Sequence, residues 1–429
     1  MKRICLALFA ICLNTLAVAG VQIQHWTTAS GARVYFVASN ALPILDVQVD
    51  FAAGSMFDPP GKSGVAALTR GILDLGAGDL DENAIADQLA DVGAGLGGGA
   101  DTDRASVSLR TLAMLDKRGP ALEILRRVLQ SPRFDAAVFE RERARTIAGL
   151  KDALTRPATL AGKAFWAALY PDHPYGRQAT PEGLATLNRE DLQAFYQRHY
   201  NARNASITIV GQISRQEAAE LAEKLVAGLP AGEAPGLPPA PGASQSGVKK
   251  VAHPASQAHL YVGLPAIERG HADSFALLLG NYTLGGGGFV SRLMQEVRDK
   301  RGFAYSVYST FAPLRQSGPF QIGLQTQRAQ AGEALKVVRE VLAGFLRDGP
   351  TADELAAAKA NLIGSFPLRL DSNRKILENV ASIGFYGLPL DYLDTYQQKV
   401  AAVTAEDVRQ AFARHVRPEA LVTVMVAVD

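Results

Sequence analysis

The sequence predicts an α+β fold built twice: two sandwich halves of mostly antiparallel strands covered by helices and joined by a linker. Three observations carry that reading. The apolar pattern of residues 334–342 repeats that of residues 121–129, and residues 355–364 repeat 139–148, with Lys359 against Arg143 and Ile363 against Ile147. The order of elements around these helices repeats as well. Between the copies, residues 231–246 are rich in Pro, Gly and Ala and almost free of periodicity, which is the composition of a linker. The expected organisation is a first half over residues 20–230, a linker over 231–250 and a second half over 251–429.

Taken in order, the chain opens with basic Lys2 and Arg3, an apolar run over residues 4–16 and small residues Ala17, Val18 and Ala19. This is the layout of a signal peptide cleaved near Ala19, so residues 1–19 are set apart from the fold and export to a periplasm is expected. Both cysteines, Cys5 and Cys12, fall inside that segment. Ile11 before Cys12 makes a poor lipobox, which argues against a lipid anchor. The mature chain then has no cysteine, which excludes disulfides, a thiolate zinc site and a thiol nucleophile. The full chain has 44 basic and 42 acidic residues, and losing Lys2 and Arg3 makes the two equal. That balance favours neither nucleic acid nor an anionic membrane as partner. No later apolar run is long enough for a spanning helix, so the mature protein is expected to be soluble.

Residues 34–37 and 45–51 read as strands, the second with clean alternation. A turn-rich loop over 54–61 precedes a helix over 63–75, whose stripe is Val65, Leu68, Ile72 and Leu75. A second helix covers 81–92. Five glycines within 93–99 then lead into a strand over 105–110. Helices follow over 121–129, 136–154 and 189–199, and a strand over 205–210. Beyond the linker come a strand over 259–263 and an apolar helix over 274–284.

The stretch from Gly285 to Tyr308 is the most distinctive in the chain. Gly285, Gly286, Gly287 and Gly288 precede Phe289 and an amphipathic segment with Leu293, Val297 and Val290 on one face. Gly302 ends that helix, and residues 303–308 have the aromatic and β-branched content of a strand. Four consecutive glycines point to a close approach of backbone to something. A glycine hinge before a helix fits the residues equally well. A phosphate loop does not, because no Lys-Ser/Thr follows and no G-x-G-x-x-G spacing is met. Singly, Arg298 reads as a cation at a helix end and Tyr305 as strand packing.

This stretch, with Arg298 and then Arg301-Gly302-Phe303-Ala304-Tyr305-Ser306-Val307, resembles the C-terminal half of the M16 (pitrilysin-type, inverzincin) metallopeptidases. The resemblance covers nearly all of the mature chain. It implies that Arg298 and Tyr305 act as the family's Arg/Tyr pair, contacting substrate and the developing oxyanion. It also implies that Gly285 to Gly288, with Phe289, help to hold an extended peptide, added as a strand at a sheet edge. Active members carry His-x-x-Glu-His on the first helix, where two His bind zinc and the Glu polarises water. Laid on that pattern, Ala67 and Gly71 stand for the ligands, Arg70 for the catalytic Glu, and Gly149 for the third ligand. No metal is therefore expected in this chain, and an arginine there would repel a dication.

The seven histidines, His25, His173, His199, His253, His259, His271 and His415, show no pair at helical ligand spacing and read as surface or capping residues. No Gly-x-Ser-x-Gly elbow is present. The resemblance thus implies a non-catalytic subunit of a heterodimeric periplasmic zinc endopeptidase, its partner bearing His-x-x-Glu-His and the zinc. A peptide-binding or scaffold protein of the same fold with no part in catalysis is the alternative. A third reading, an active zinc protease with an unfamiliar ligand set, is one that zinc content would settle.

Overall fold

Local signals set most element starts. The computed structural model describes residues 20–244 and 246–428, so the expected signal peptide lies outside the described residues. The strands are β1 (Gln24–Thr27), β2 (Arg33–Ala38), β3 (Ile44–Phe51), β4 (Gly95–Ala100), β5 (Ala105–Leu112), β6 (Ala205–Gly211), β7 (Gly247–Val251), β8 (Gln257–Ile267), β9 (Ala304–Phe311), β10 (Gly318–Gln327) and β11 (Val422–Val426). The main helices of the first half are α1 (Val65–Ile72), α2 (Glu82–Asp91), α3 (Leu115–Gln130), α4 (Ala136–Ala153), α5 (Pro157–Leu169), α6 (Arg189–His199) and α7 (Arg215–Val226). Those of the second are α8 (Ser274–Asn281), α9 (Ala331–Asp348), α10 (Ala352–Gly364), α11 (Asn373–Tyr386), α12 (Tyr392–Ala402) and α13 (Ala405–His415). Capping boxes open α6 (Asn188/Asp191), α7 (Ser214/Glu217), α10 (Thr351/Glu354) and α13 (Thr404/Asp407), each satisfying backbone N–H groups that a helix start leaves unpaired.

Two sheets result. The first has six strands in the order β1-β2-β6-β3-β5-β4, and the second has five in the order β9-β10-β8-β11-β7. Setting β1 aside, the orders superpose as β2/β7, β6/β11, β3/β8, β5/β10 and β4/β9. The senses match too: β2–β6 and β7–β11 are parallel and the other pairs antiparallel. The repeated helices α3/α9 and α4/α10 occupy the same places in the chain order. The fold is thus two α/β layers of one pattern, as the sequence repeat predicts.

Two expectations need correction. The glycine-rich residues 93–99 are not a connector; from Gly95 they form edge strand β4, paired to β5 from Gly95↔Arg110 to Ala100↔Ala105. Glycine has no strand preference, so only the pairing reveals it. The linker also ends early, because Gly247 to Val251 form edge strand β7 beside β11. Its Lys249 and Lys250 are exposed, the kind of charge that protects an edge and reads as loop in a sequence.

The halves exchange helices. Helix α5 leaves the first half and packs on β11 and β8 of the second sheet, while α11 of the second half packs on β6, β3 and β2 of the first. Ala161, Phe165 and Leu169 of α5 share one core with Val422, Val424 and Val426. Each such buried large side chain contributes roughly 1.5–3 kcal/mol. At the seam, Asp103 is inaccessible and accepts hydrogen bonds from the hydroxyls of Tyr175 (2.8 Å) and Tyr386 (2.9 Å) and from the Arg315 N–H (2.8 Å). The linker is tied in as well, since Gln316 donates to the Pro238 carbonyl (2.6 Å). No helix among the described residues is long and apolar enough to cross a membrane.

Candidate functional site

The predicted helix around Arg298 is irregular. After a turn at Ser291 the chain forms a π-helix over Met294–Asp299, closed by Lys300 N–H donating to the Gln295 carbonyl (3.0 Å). Such wide turns are uncommon and often coincide with functional positions. Leu293 and Val297 are fully buried, so the widening leaves the apolar face seated and turns Arg298 outward, about a third exposed. Arg292 anchors the segment with two bonds to Glu354 (2.7 and 2.6 Å) and one to the Gly349 carbonyl (2.9 Å).

Tyr305 sits on a second irregularity. On edge strand β9 the register runs Ala304↔Thr326 and then Val307↔Leu324, so Tyr305 and Ser306 form a β-bulge. A bulge at a sheet edge re-aims a side chain. Tyr305 is 88% exposed, which excludes the strand-packing reading. The Arg298 guanidinium lies over the rings of both Phe289 (4.9 Å) and Tyr305 (5.7 Å) and pairs with Asp299 (2.9 Å). Phe289, Arg298 and Tyr305 therefore form one exposed stack at the free edge of the second sheet. Cation–π contacts at such exposure are worth about 0.5–1 kcal/mol each, enough to bias orientation but not to lock it.

The glycine run has separate tasks along its length. Gly285 is buried, and a Cβ there would stand 2.6 Å from the Ser309 hydroxyl and 2.8 Å from Leu293 Cδ1. What it approaches is strand β9 itself. Gly288 has φ +62°, a left-handed conformation that puts Phe289 on the surface. Gly286 and Gly288 are exposed while Gly287 is half-buried. Gly285→Ala is expected to lower stability by about 1–3 kcal/mol through overpacking, read by denaturant unfolding. No loss would mean that the turn yields freely there.

The first half presents the matching place without the matching chemistry. Helix α1 precedes edge strand β4 as the π-helix precedes edge strand β9. Ala67 and Gly71 on α1 and Gly149 on α4 are exposed and carry no donor atom, and the two helices pack together. Arg70 points inward: it is buried, its Nε donates to the Ser106 carbonyl (2.5 Å) and its Nη2 to the Gly97 carbonyl (2.6 Å). It pairs loosely with Asp74 (3.4 Å). The arginine is thus a brace between α1 and the β4–β5 hairpin, which answers what it does in place of an acid. This residue set does not fit zinc. Arg70→Ala should cost roughly 2–3 kcal/mol by leaving these carbonyls unpaired, and slower amide exchange than wild type in β4 would contradict the brace.

Among the described residues, one group of three potential ligands converges, His271, Asp273 and His415, with donor atoms within 4.8 Å. Both Asp273 oxygens already hold Arg414 (3.0 and 2.8 Å), and Oδ2 also meets His415 Nε2 (2.8 Å). An arginine seated on the carboxylate disfavours a dication, so this is an ion-pair cluster joining the start of α8 to the end of α13. Arg414 first, with His415, holds Asp273 below the usual carboxylate range. Two of the histidines expected as surface or capping residues are buried. His173 does cap, accepting from the Tyr175 N–H (3.2 Å), and its other ring nitrogen bonds Gln316 Oε1 (2.6 Å), whereas His199, stacked on Phe195, has its pKa pushed down to about 4 by burial.

Sequence reasoning placed Arg298, Tyr305 and Phe289 within one stretch, and the structure brings them into one cluster. It missed β4 and the bulge. The Ala304-to-Val307 register depends on cross-strand pairing, so no local signal could have found it.

Comparison with known proteins follows the same division. The family model described as "Insulinase (Peptidase family M16)" matches residues 34–181, and "Peptidase M16 inactive domain" matches residues 186–362. The crystal structure of a peptidase M16 inactive domain from Pseudomonas fluorescens is 38% identical, with TM-score 0.92, over 95% of this chain and 98% of that one. The "Non-peptidase homolog YmxG" of Helicobacter pylori is 24% identical over 388 residues, 89% of this chain and 88% of that protein. The periplasmic protease PqqL of Escherichia coli shares the fold at 17% identity and TM-score 0.81, over 95% of this chain and 45% of that one.

Proposed function

The chain belongs to the M16 peptidase family, and from that premise we propose that it is the non-catalytic subunit of a heterodimeric zinc endopeptidase, exported to the periplasm. The carrying observation is the unequal chemistry of two equivalent places. At the edge of the first sheet, Ala67, Arg70, Gly71 and Gly149 offer nothing to a metal. At the edge of the second, Arg298 and Tyr305 stand outward on a π-helix and a bulge. In this reading a partner chain bearing His-x-x-Glu-His supplies zinc and water. Arg298 and the Tyr305 hydroxyl supply donors to the substrate carbonyl as it becomes an oxyanion. The peptide adds along the free edge of β9, its backbone paired and Phe289 against a side chain.

The exchanged helices bear on how such a complex would move. With α5 and α11 each seated in the other half, closing on a peptide occurs between the two chains rather than within this one. The Helicobacter pylori relative is called a non-peptidase homolog, which is equally compatible with the second reading, a peptide-binding or scaffold protein without a part in catalysis. One experiment separates them: affinity capture of the tagged mature chain from its own periplasmic extract, read by mass spectrometry, then a peptidase assay of what is recovered. Recovery of a similar-sized protein carrying His-x-x-Glu-His, with activity that needs both chains, supports the heterodimer. Bait alone, as monomer or homodimer, supports the binding protein.

A further inference from the structure

A cavity of about 720 Å³ opens in the second half, at the end of β9 remote from Tyr305. Thr310 and Phe311 line it, so it lies roughly 17–20 Å along the strand from the Arg298 stack. Its walls come from the first turn of α8, the segment after β8, and α12. Phe275, Tyr392, Tyr396 and Leu388 give it an apolar side, and this size and mixture suit a small organic ligand.

Its charges are uneven in a telling way. Four cations and two carboxylates line it. Both carboxylates are engaged: Asp273 by Arg414 and His415, and Asp407 by the backbone and hydroxyl of Thr404. Arg414 is matched by Asp273, but Arg269, Arg369 and Lys399 have no carboxylate within 4 Å among the described residues. They lie instead over the rings of Tyr386 (4.7 Å), Tyr396 (5.4 Å) and Phe275 (5.9 Å). The Phe275 and Tyr396 rings are themselves 5.6 Å apart, so Lys399 and Arg369 flank one aromatic wall. Tyr396 itself is 2% exposed and meets the cavity through its ring.

We propose that this cavity binds an amphipathic organic acid, a carboxylate carried on an aromatic or branched apolar body. The carboxylate sits between Arg369 and Lys399, while the body packs on Phe275, Tyr392 and Leu388. The planar guanidinium fork of Arg369 matches a carboxylate. Such a group is borne by a free small acid or by the carboxyl end of a peptide with an apolar last residue. The site is separate from the Arg298–Tyr305 face and stands whether or not that face serves a partner.

Titration calorimetry of the mature chain with hydrocinnamate, with acetyl-Ala-Ala-Phe as the free acid, and with the amide of the same peptide tests this. The acids should bind, the amide at least about tenfold more weakly than its acid. Arg369→Gln with Lys399→Gln should weaken acid binding about tenfold or more, with a nearly unchanged melting temperature because Arg369 is exposed and Lys399 only half-buried. Tighter binding of the peptide acid than of hydrocinnamate assigns the ligand to a peptide end, and the reverse assigns it to a small acid; either supports the site. Equal affinity for acid and amide, unchanged affinity in the folded double variant, or no heat from either acid at millimolar concentration overturns it.

Discussion

If the chain is the proposed subunit, replacing Tyr305 by phenylalanine is expected to lower kcat of the complex about 10²-fold while leaving assembly intact. The hydroxyl is the only group removed, and at 88% exposure it supports nothing in the fold. Loss of one donor to an oxyanion typically costs about 10²–10³ in kcat. Arg298→Gln should act in the same direction, with an added rise in KM, since it also dissolves the stack with Phe289. Steady-state kinetics beside gel filtration of the complex separates catalysis from assembly. An unchanged kcat for Tyr305→Phe would remove the oxyanion role and leave the binding reading.

The second large effect concerns the seam. Asp103→Ala should cost about 3–5 kcal/mol, because the buried Tyr175 hydroxyl, the half-buried Tyr386 hydroxyl and a backbone N–H lose their acceptor together. Unfolding should remain a single transition, since α5 and α11 leave neither half a complete core of its own. Two separated transitions in calorimetry would show that the halves are independent.

The same carboxylate gives a pH dependence. Burial raises the pKa of Asp103 in the folded chain, although the hydrogen bonds from Tyr175, Arg315 and Tyr386 oppose it. The native state therefore keeps a proton that the unfolded chain has released. Its contribution to stability is present at acid pH and declines as pH rises from the ordinary aspartate range through the raised value. Asp103→Asn should be milder than Asp103→Ala and should flatten that decline. Burial first, then Asp103, pushes the Tyr175 and Tyr386 hydroxyls up, so both stay protonated donors across this range.

Where periodicity was strong, the sequence was sufficient. Helices α4 and α6 and strand β3 fall within about a residue of the expected spans, because each carries its own apolar pattern and, in α6, its own capping box. The helix expected around Arg298 was legible as amphipathic, since Leu293 and Val297 are buried as its pattern required. Its π-helical form was not, because an i,i+5 pattern differs from a helical one by a single inserted residue. Edge strands were the weakest reading. Lysines in β7 and glycines in β4 lack strand propensity, and only their neighbours hold them extended.

The sequence by itself determined the duplication, the family, and the absence of donor atoms at Ala67, Gly71 and Gly149, because these rest on residue identity and local order. It also placed Arg298, Phe289 and Tyr305 within one short stretch. The tertiary structure alone decided that they stack together at a free edge, and that Arg70 braces a hairpin instead of meeting solvent. It alone brought His271 to His415, 144 positions apart in the chain, and surrounded a cavity with cations from four separate segments. Such juxtapositions depend on strand register and helix exchange, and these are set by the packing of many distant residues at once, which no local window of sequence contains.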